Sequence, residues 1–269
     1  MEYLINKKII SYEAEGNKTA GEDSVLLHRA IDLTYGKAWS REGYVVSPLF
    51  KNDRFIEFEQ KTKQLLKHCW QKSGLAVAED FQVEHYHRIA PTQELHLEAV
   101  ENTKLLSASD FPVPISEIED HISSICQTPL VAKNPFDNQS IFHFRVVRPN
   151  GQDNNPLHRD VWLPDYANCI NLYIPIAGSN EFSSLSILPG SHHWPENKTV
   201  RTRAGASIEG KKYSVPAVTH IHGAYEIIRP NPQRNEVLVF SPYLIHGGAV
   251  NLNADQTRIS IELRLWNQS

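Results

Sequence analysis

His158-Arg-Asp160 and the distant His246 are the residues of this sequence best suited to hold a metal ion. Two imidazoles and one carboxylate on one face of an iron ion leave three positions open for small molecules and dioxygen. The chain holds 13 histidines and 31 acidic residues, so an H-x-[D/E] triplet arises roughly once or twice by chance. Two occur, His96-Leu-Glu98 and His158-Arg-Asp160, and local geometry separates them. His96 falls within a predicted helix, where residues i and i+2 point about 200° apart around the axis and do not easily meet at one ion. His158 follows Asn154-Asn155-Pro156, which biases the chain towards extended backbone. In extended chain i and i+2 share a face, so an imidazole and a carboxylate can converge. The best third candidate is His246, in Ser241-Pro-Tyr-Leu-Ile-His-Gly-Gly248 directly after an apolar strand at 237–240. The two glycines allow the close backbone approach that a site at a strand end often needs. Taken singly, each histidine is more often a surface or satisfied core residue; strand context at both positions favours a site.

Two further patterns carry polar groups. At 258–266, Arg258, Ser260, Glu262 and Arg264 alternate with Ile259, Ile261, Leu263 and Leu265, so this strand has two distinct faces. An edge strand with its polar face in water fits that alternation as well as a strand buried on both sides. His220-Ile-His222-Gly-Ala-Tyr-Glu226 fits the H-x-H-x-x-x-E core of the cupins, with His246 as fourth ligand. The cupin pattern, however, has glycine where Ser214 stands and Pro-x-Gly where Pro242-Tyr243-Leu244 stands.

The elements that must position these groups change character near residue 135. Segment 1–134 reads as mostly helical with one early strand. Helices are expected over 22–38, 53–72, 91–105 and 114–126, the last two opened by Pro91 and Pro114. The early strand is 43–48, stopped by Pro48. From 135 to 266, short runs rich in Ile, Val, Leu and aromatics lie at 141–147, 169–176, 185–188, 237–240 and 258–266, separated by Gly, Pro, Asn and Asp. Strands without intervening helices indicate an antiparallel sandwich or barrel, and 1–269 reads as a single domain. The stretch 191–233 reads as a long loop, suited to a lid or specificity element. Substrate contacts are expected from Arg145, which shares a strand face with His143, from Trp162, and from His192 and His222 in that loop.

Composition excludes several functions. The net charge of −4 offers no basic field for nucleic acid or an anionic membrane. No apolar run is long enough to span a bilayer. Cys69, Cys126 and Cys169 are far apart with no CxxC and read as reduced thiols, which suits a cytoplasmic protein. The oligomeric state stays open.

His158-x-Asp160, the distal His246 and Arg258-x-Ser260 together resemble the signature of Fe(II)- and 2-oxoglutarate-dependent oxygenases. Ile187-Leu-Pro-Gly-Ser-His192 is similar to the PGSH segment of the phytanoyl-CoA dioxygenase family, and the order of elements over 135–266 is similar too. His246-Gly-Gly-Ala-Val-Asn251 follows the family's H-x-S-x-x-N with Gly248 at the serine position. The resemblance implies a mainly β fold with flanking helices: a double-stranded β-helix (jelly roll, cupin-like) core with the N-terminal helices packed on one sheet. It implies that His158, Asp160 and His246 bind Fe(II) inside that core. It also implies that Arg258, with Ser260 beside it, binds the distal carboxylate of 2-oxoglutarate. The reaction implied is hydroxylation of a small polar or anionic metabolite by dioxygen, with release of succinate and CO2. Relatives that halogenate lack the carboxylate, so Asp160 favours hydroxylation or a related oxidation over halogenation. The non-enzymatic alternative is a binding protein that keeps the β-helix without turnover.

Overall fold

The computed structural model describes every residue except Leu105, Gln152, Asn154 and Ser269. The expected helix end at Leu105 and the Asn154 that precedes Asn155-Pro156 therefore lie outside the described residues. The chain opens with β1 (Glu2–Ile5), β2 (Lys8–Ser11), β3 (Lys18–Ala20) and β4 (Tyr44–Pro48). Four helices follow: α1 (Asn52–Lys72), α2 (Tyr86–Ile89), α3 (Gln93–Glu101) and α4 (Ile115–Cys126). Then come β5 (Leu130–Val131), β6 (Phe142–Val147), β7 (Cys169–Ala177), β8 (Thr199–Thr202) and β9 (Ala206–Ile208). The last strands are β10 (Lys211–Tyr213), β11 (Val218–Ile221), β12 (Glu236–Phe240) and β13 (Arg258–Asn267). The fold is mainly β, and the described strand pairs are antiparallel.

β13 sits in the middle of a six-stranded sheet of order β4-β12-β7-β13-β5, with β6 also paired to β13. β7 runs along one side of it, and β6 followed by β5 along the other. The solvent-edge reading of this strand is thereby excluded, and Arg258 and Ser260 are buried. Its register with β7 slips by one residue between Ile259 and Ser260, opposite Pro175. Proline has no N–H to give the ladder, and bulges of this kind re-aim side chains beside functional sites.

The apolar face of β13, Ile259, Ile261, Leu263 and Leu265, lies in one core with residues of α1 and α4. α1 contributes Phe55, Phe58, Leu66, Cys69 and Trp70, buried at helical spacing. α4 contributes Ile118, Ile122 and Cys126, one turn apart, and ends on Gln127 in the left-handed conformation. α3 is capped by the Thr92 hydroxyl, which accepts from the Leu95 amide at 3.3 Å. β11, β8 and β3 form a second, three-stranded sheet.

Two expectations fail for stated physical reasons. Segment 22–38 holds no α-helix, only a short 3-10 turn at Arg29–Ile31. Its backbone is used elsewhere, because the carbonyls of Ser24 and Glu22 accept from the amides of Glu196 and Asn197 at 2.9 Å each. Tertiary hydrogen bonds thus override a weak local propensity. Stretch 191–233 is no long loop, since it contains β8, β9, β10 and β11, and β8 also pairs with β3. The start of the chain is likewise a hairpin: Tyr3 and Ile5 face inwards, and Asn6 and Lys7 turn the chain with φ of 50° and 59°. At 185–188 no strand forms, although Ile187 bridges to both Ile228 and His246.

Ile118 is fully buried in the main core and Leu4 is 61% exposed. Urea unfolding is expected to show Ile118→Ala losing about 2–5 kcal/mol, and Leu4→Ala staying within about 0.5 kcal/mol of the parent.

Candidate metal centre

His158 and His246 are joined by backbone before their side chains meet. Each amide donates to the other's carbonyl at 2.9 Å, an isolated antiparallel bridge. Gly247, with φ of +100°, lets the chains come this close: a Cβ there would lie 2.4 Å from the Pro156 carbonyl oxygen. That carbonyl is the one that fixes His158, whose Nδ1 lies 2.8 Å from it. His246 Nδ1 is fixed in the same way by the Leu244 carbonyl at 3.0 Å. With both Nδ1 atoms donating, both Nε2 atoms keep their lone pairs for another partner.

The two Nε2 atoms point at Asp160. Its Oδ1 lies 3.2 Å from His158 Nε2 and 3.7 Å from His246 Nε2, and all three side chains are buried. Oδ1 is buried and has no hydrogen-bond partner. Oδ2 is fully engaged, by Asn171 Nδ2 at 3.0 Å and by Arg264 Nε and NH2 at 3.1 and 2.9 Å. Burial pushes the Asp160 carboxyl up, but the guanidinium of Arg264 beside it outweighs this and holds the group well below the usual carboxylate range. Burial pushes His246 down to about 4, so this imidazole is neutral near pH 7. One ligand atom from each residue lies within 4.8 Å of the others, the only such cluster among the described residues. An anionic oxygen with no partner beside two imidazole nitrogens is the donor set of a divalent transition-metal site.

Arg159, between the two motif residues, points the other way, as extended chain requires. It is fully buried, donates to Glu196 Oε1 at 2.5 Å and to the Ser191 carbonyl at 2.7 Å, and so ties the motif to the Pro189-Gly190-Ser191-His192 turn. Ser191 Oγ in turn accepts from the Ile245 amide at 2.8 Å, directly before His246. The three sequence segments that carry the site are thus bonded to one another behind it.

In front of the site lies a partly open cavity whose wall includes Arg145, Asn171, Arg258, Glu262 and Arg264. Arg258 is buried, with Nε unpartnered and NH1 on the Ser183 carbonyl at 3.3 Å. Ser260 Oγ is also buried without a partner. Arg145 pairs with Glu262 through Nε and NH2, at 3.1 and 2.8 Å. Three expected substrate contacts do not line this cavity. Trp162 donates to Glu196 Oε2 at 3.0 Å, and His192 is buried with Nε2 2.9 Å from the Ser40 carbonyl. His222 is exposed, as are His220 and Glu226, and the cupin cluster with His246 does not form. Asn171 and Arg264 were not singled out by their residue types. For Arg264 the signal was present, since it continues the polar face that begins at Arg258.

The sequence matches the family described as Phytanoyl-CoA dioxygenase (PhyH) over residues 39–260. The chain belongs to this family, and with it to the 2-oxoglutarate-dependent dioxygenases that use Fe(II), 2-oxoglutarate and dioxygen. No curated protein matches it by sequence. Among solved structures it is similar to AviO1 from Streptomyces viridochromogenes Tue57, with TM-score 0.51 and 15% identity over 91% of this chain and 98% of that one. It is also similar to the epimerase SnoN in complex with Fe3+, alpha ketoglutarate and nogalamycin RO, with TM-score 0.50 and 12% identity over 88% and 82%. EctD from S. alaskensis with 2-oxoglutarate and 5-hydroxyectoine follows at TM-score 0.49 and 14% identity, over 95% and 86%. AviO1 and SnoN share the fold of this chain. No helix among the described residues is long and apolar enough to cross a membrane.

Two outcomes are expected from this geometry. Gly247→Ala drives a methyl group into the Pro156 carbonyl that holds His158, and Mn(II) titration of the metal-free protein should show affinity reduced by about 10-fold or more. The second concerns acid. Burial pushes His96, His143, His192 and His246 down to about 4. In the unfolded chain they take up protons near pH 6.5. The unfolded state binds more protons between these values, so the contribution of these groups is complete above about 6.5 and is lost as pH falls towards about 4. Urea unfolding of metal-free protein should therefore give lower stability at pH 5 than at pH 7, and His192→Gln should flatten that slope.

Proposed function

We propose that this chain is an Fe(II)- and 2-oxoglutarate-dependent hydroxylase whose iron is held by His158, Asp160 and His246. The observation that carries the reading is the unpartnered Asp160 Oδ1, facing two imidazole nitrogens at 3.2 and 3.7 Å at the wall of a cavity. Arg258 and Ser260 would take the distal carboxylate of 2-oxoglutarate. Both are buried in or beside that wall, and each has a polar atom without a partner. Arginine suits the task because its fork meets a carboxylate with two parallel N–H donors. The two sheets and helices form a double-stranded β-helix with the helices over the outer face of the larger sheet, and the whole chain works as one domain.

Bound iron would supply the activation of dioxygen, one oxygen atom going to the substrate and the other to the succinate formed as 2-oxoglutarate loses CO2. The protein's own groups bind, orient and exclude water. Both histidines are oriented by backbone carbonyls at Nδ1, and Asp160 is held ionised by Arg264. Arg145, clamped by Glu262, borders the cavity where substrate would lie, and a small polar or anionic metabolite suits that wall. The similar SnoN structure holds an iron ion, alpha ketoglutarate and a small molecule together, as this reading requires. Three free, buried cysteines suit a reducing compartment such as the cytoplasm.

Anaerobic addition of Fe(II) and 2-oxoglutarate should give the visible charge-transfer band of a bidentate keto-acid on iron. His158→Ala should abolish the band and His220→Ala should leave it. Arg258→Ala should weaken 2-oxoglutarate by about 10-fold or more, as loss of a buried ion pair does, with metal affinity nearly unchanged. Retention of the band in His158→Ala contradicts the ligand assignment.

A further inference from the structure

The two oxygens of Asp160 live in different surroundings, and the difference is built by residues outside the metal-binding motif. Oδ2 receives three N–H donors: Arg264 Nε at 3.1 Å, Arg264 NH2 at 2.9 Å and Asn171 Nδ2 at 3.0 Å. Oδ1 receives none and faces the two imidazoles. Arg264 and Asn171 stand directly opposite each other in the β13–β7 ladder, so their side chains rise from one face as a cross-strand pair. The guanidinium is held flat as well, with its carbon 4.4 Å from the centre of the Tyr166 ring. Asn171 is buried, paired on its other side with Phe240 of β12, and cannot swing away without leaving the sheet's interior.

From this geometry we infer that Arg264 and Asn171 are positioning residues that restrict Asp160 to coordination through Oδ1 alone. The inference rests on the ligand reading proposed above and adds how the carboxylate must bind. A carboxylate can chelate through both oxygens only if both have lone pairs to give, and Oδ2 has its capacity taken by three donors. A one-oxygen ligand leaves one more position on the ion for the keto acid and dioxygen. Hydrogen-bonded partners of ligands orient them in this way, and their loss typically costs 10–100-fold in metal affinity.

The test uses the full chain, metal-free, with Co(II) alone as probe and no 2-oxoglutarate. Affinity is read by titration, and coordination number by the visible spectrum. Arg264→Met should weaken Co(II) by about 10–100-fold and change the spectrum of the saturated protein. In an Asp160→Ala background the same substitution should have no further effect on affinity, because the residue acts through that carboxylate. Arg264→Lys keeps the charge and the fold but not the planar fork. It should bind more tightly than Arg264→Met and still differ from the parent in spectrum. If Asp160→Ala leaves Co(II) affinity unchanged, the ligand reading itself fails and this inference with it. If Asp160→Ala weakens the ion, two results overturn the inference alone. One is the same loss from Arg264→Met in both backgrounds, and the other is parental affinity and spectrum in Arg264→Lys.

Discussion

A buried carboxylate satisfied on one oxygen and bare on the other is the constraint on which the rest of this structure depends. Taking an ionised aspartate out of water costs several kcal/mol, and a partner must offset it. Arg264 and Asn171 do so for Oδ2 of Asp160, and nothing does so for Oδ1. Native proteins rarely leave a buried polar atom unpartnered without a functional reason. Here both neighbouring histidines are turned, by carbonyls at their far nitrogens, to present lone pairs to the same spot. Three donors that would repel one another electrostatically are held together, and a cation between them would turn repulsion into coordination.

Rigidity behind the site comes from backbone. The reciprocal amide–carbonyl bridge between His158 and His246 fixes their relative height to within the tolerance of a hydrogen bond. Gly247 permits the approach, and Arg159 and Ser191 lock the neighbouring segments from the opposite side. Side chains that never touch the cavity therefore decide whether His158, Asp160 and His246 converge. The same logic explains β13, whose apolar residues join the helical core while Arg258, Glu262 and Arg264 line the cavity. One strand carries stability on one face and chemistry on the other.

Much of this was legible in the chain itself. The period-2 alternation of 258–266, the helical spacing of Phe55, Phe58, Leu66 and Cys69, and the Pro-opened α4 all follow from local rules. His158 and Asp160 stood out because extended backbone puts i and i+2 on one face, and His246 because it follows an apolar strand and precedes two glycines. The misses share a cause. Segment 22–38 has helical spacing but gives its carbonyls to residues 196 and 197, and no local pattern announces a partner so far along the chain. Strands β8 to β11 are three or four residues long, too short for periodicity to mark, and they gain stability by pairing with one another and with β3. Trp162 and His192 looked like substrate contacts by residue type; neither lines the cavity, and they bond instead to Glu196 and to the Ser40 carbonyl. Asn171 was invisible, because a lone asparagine in an apolar strand acquires meaning only from the strands beside it.

Anomalous diffraction from crystals of the Mn(II)-loaded protein addresses the central claim most directly. The account predicts one strong peak at bonding distance from His158 Nε2, His246 Nε2 and Asp160 Oδ1, with Oδ2 still held by Arg264. A peak at His220 and His222, or metal bound with no contact to Asp160, contradicts it.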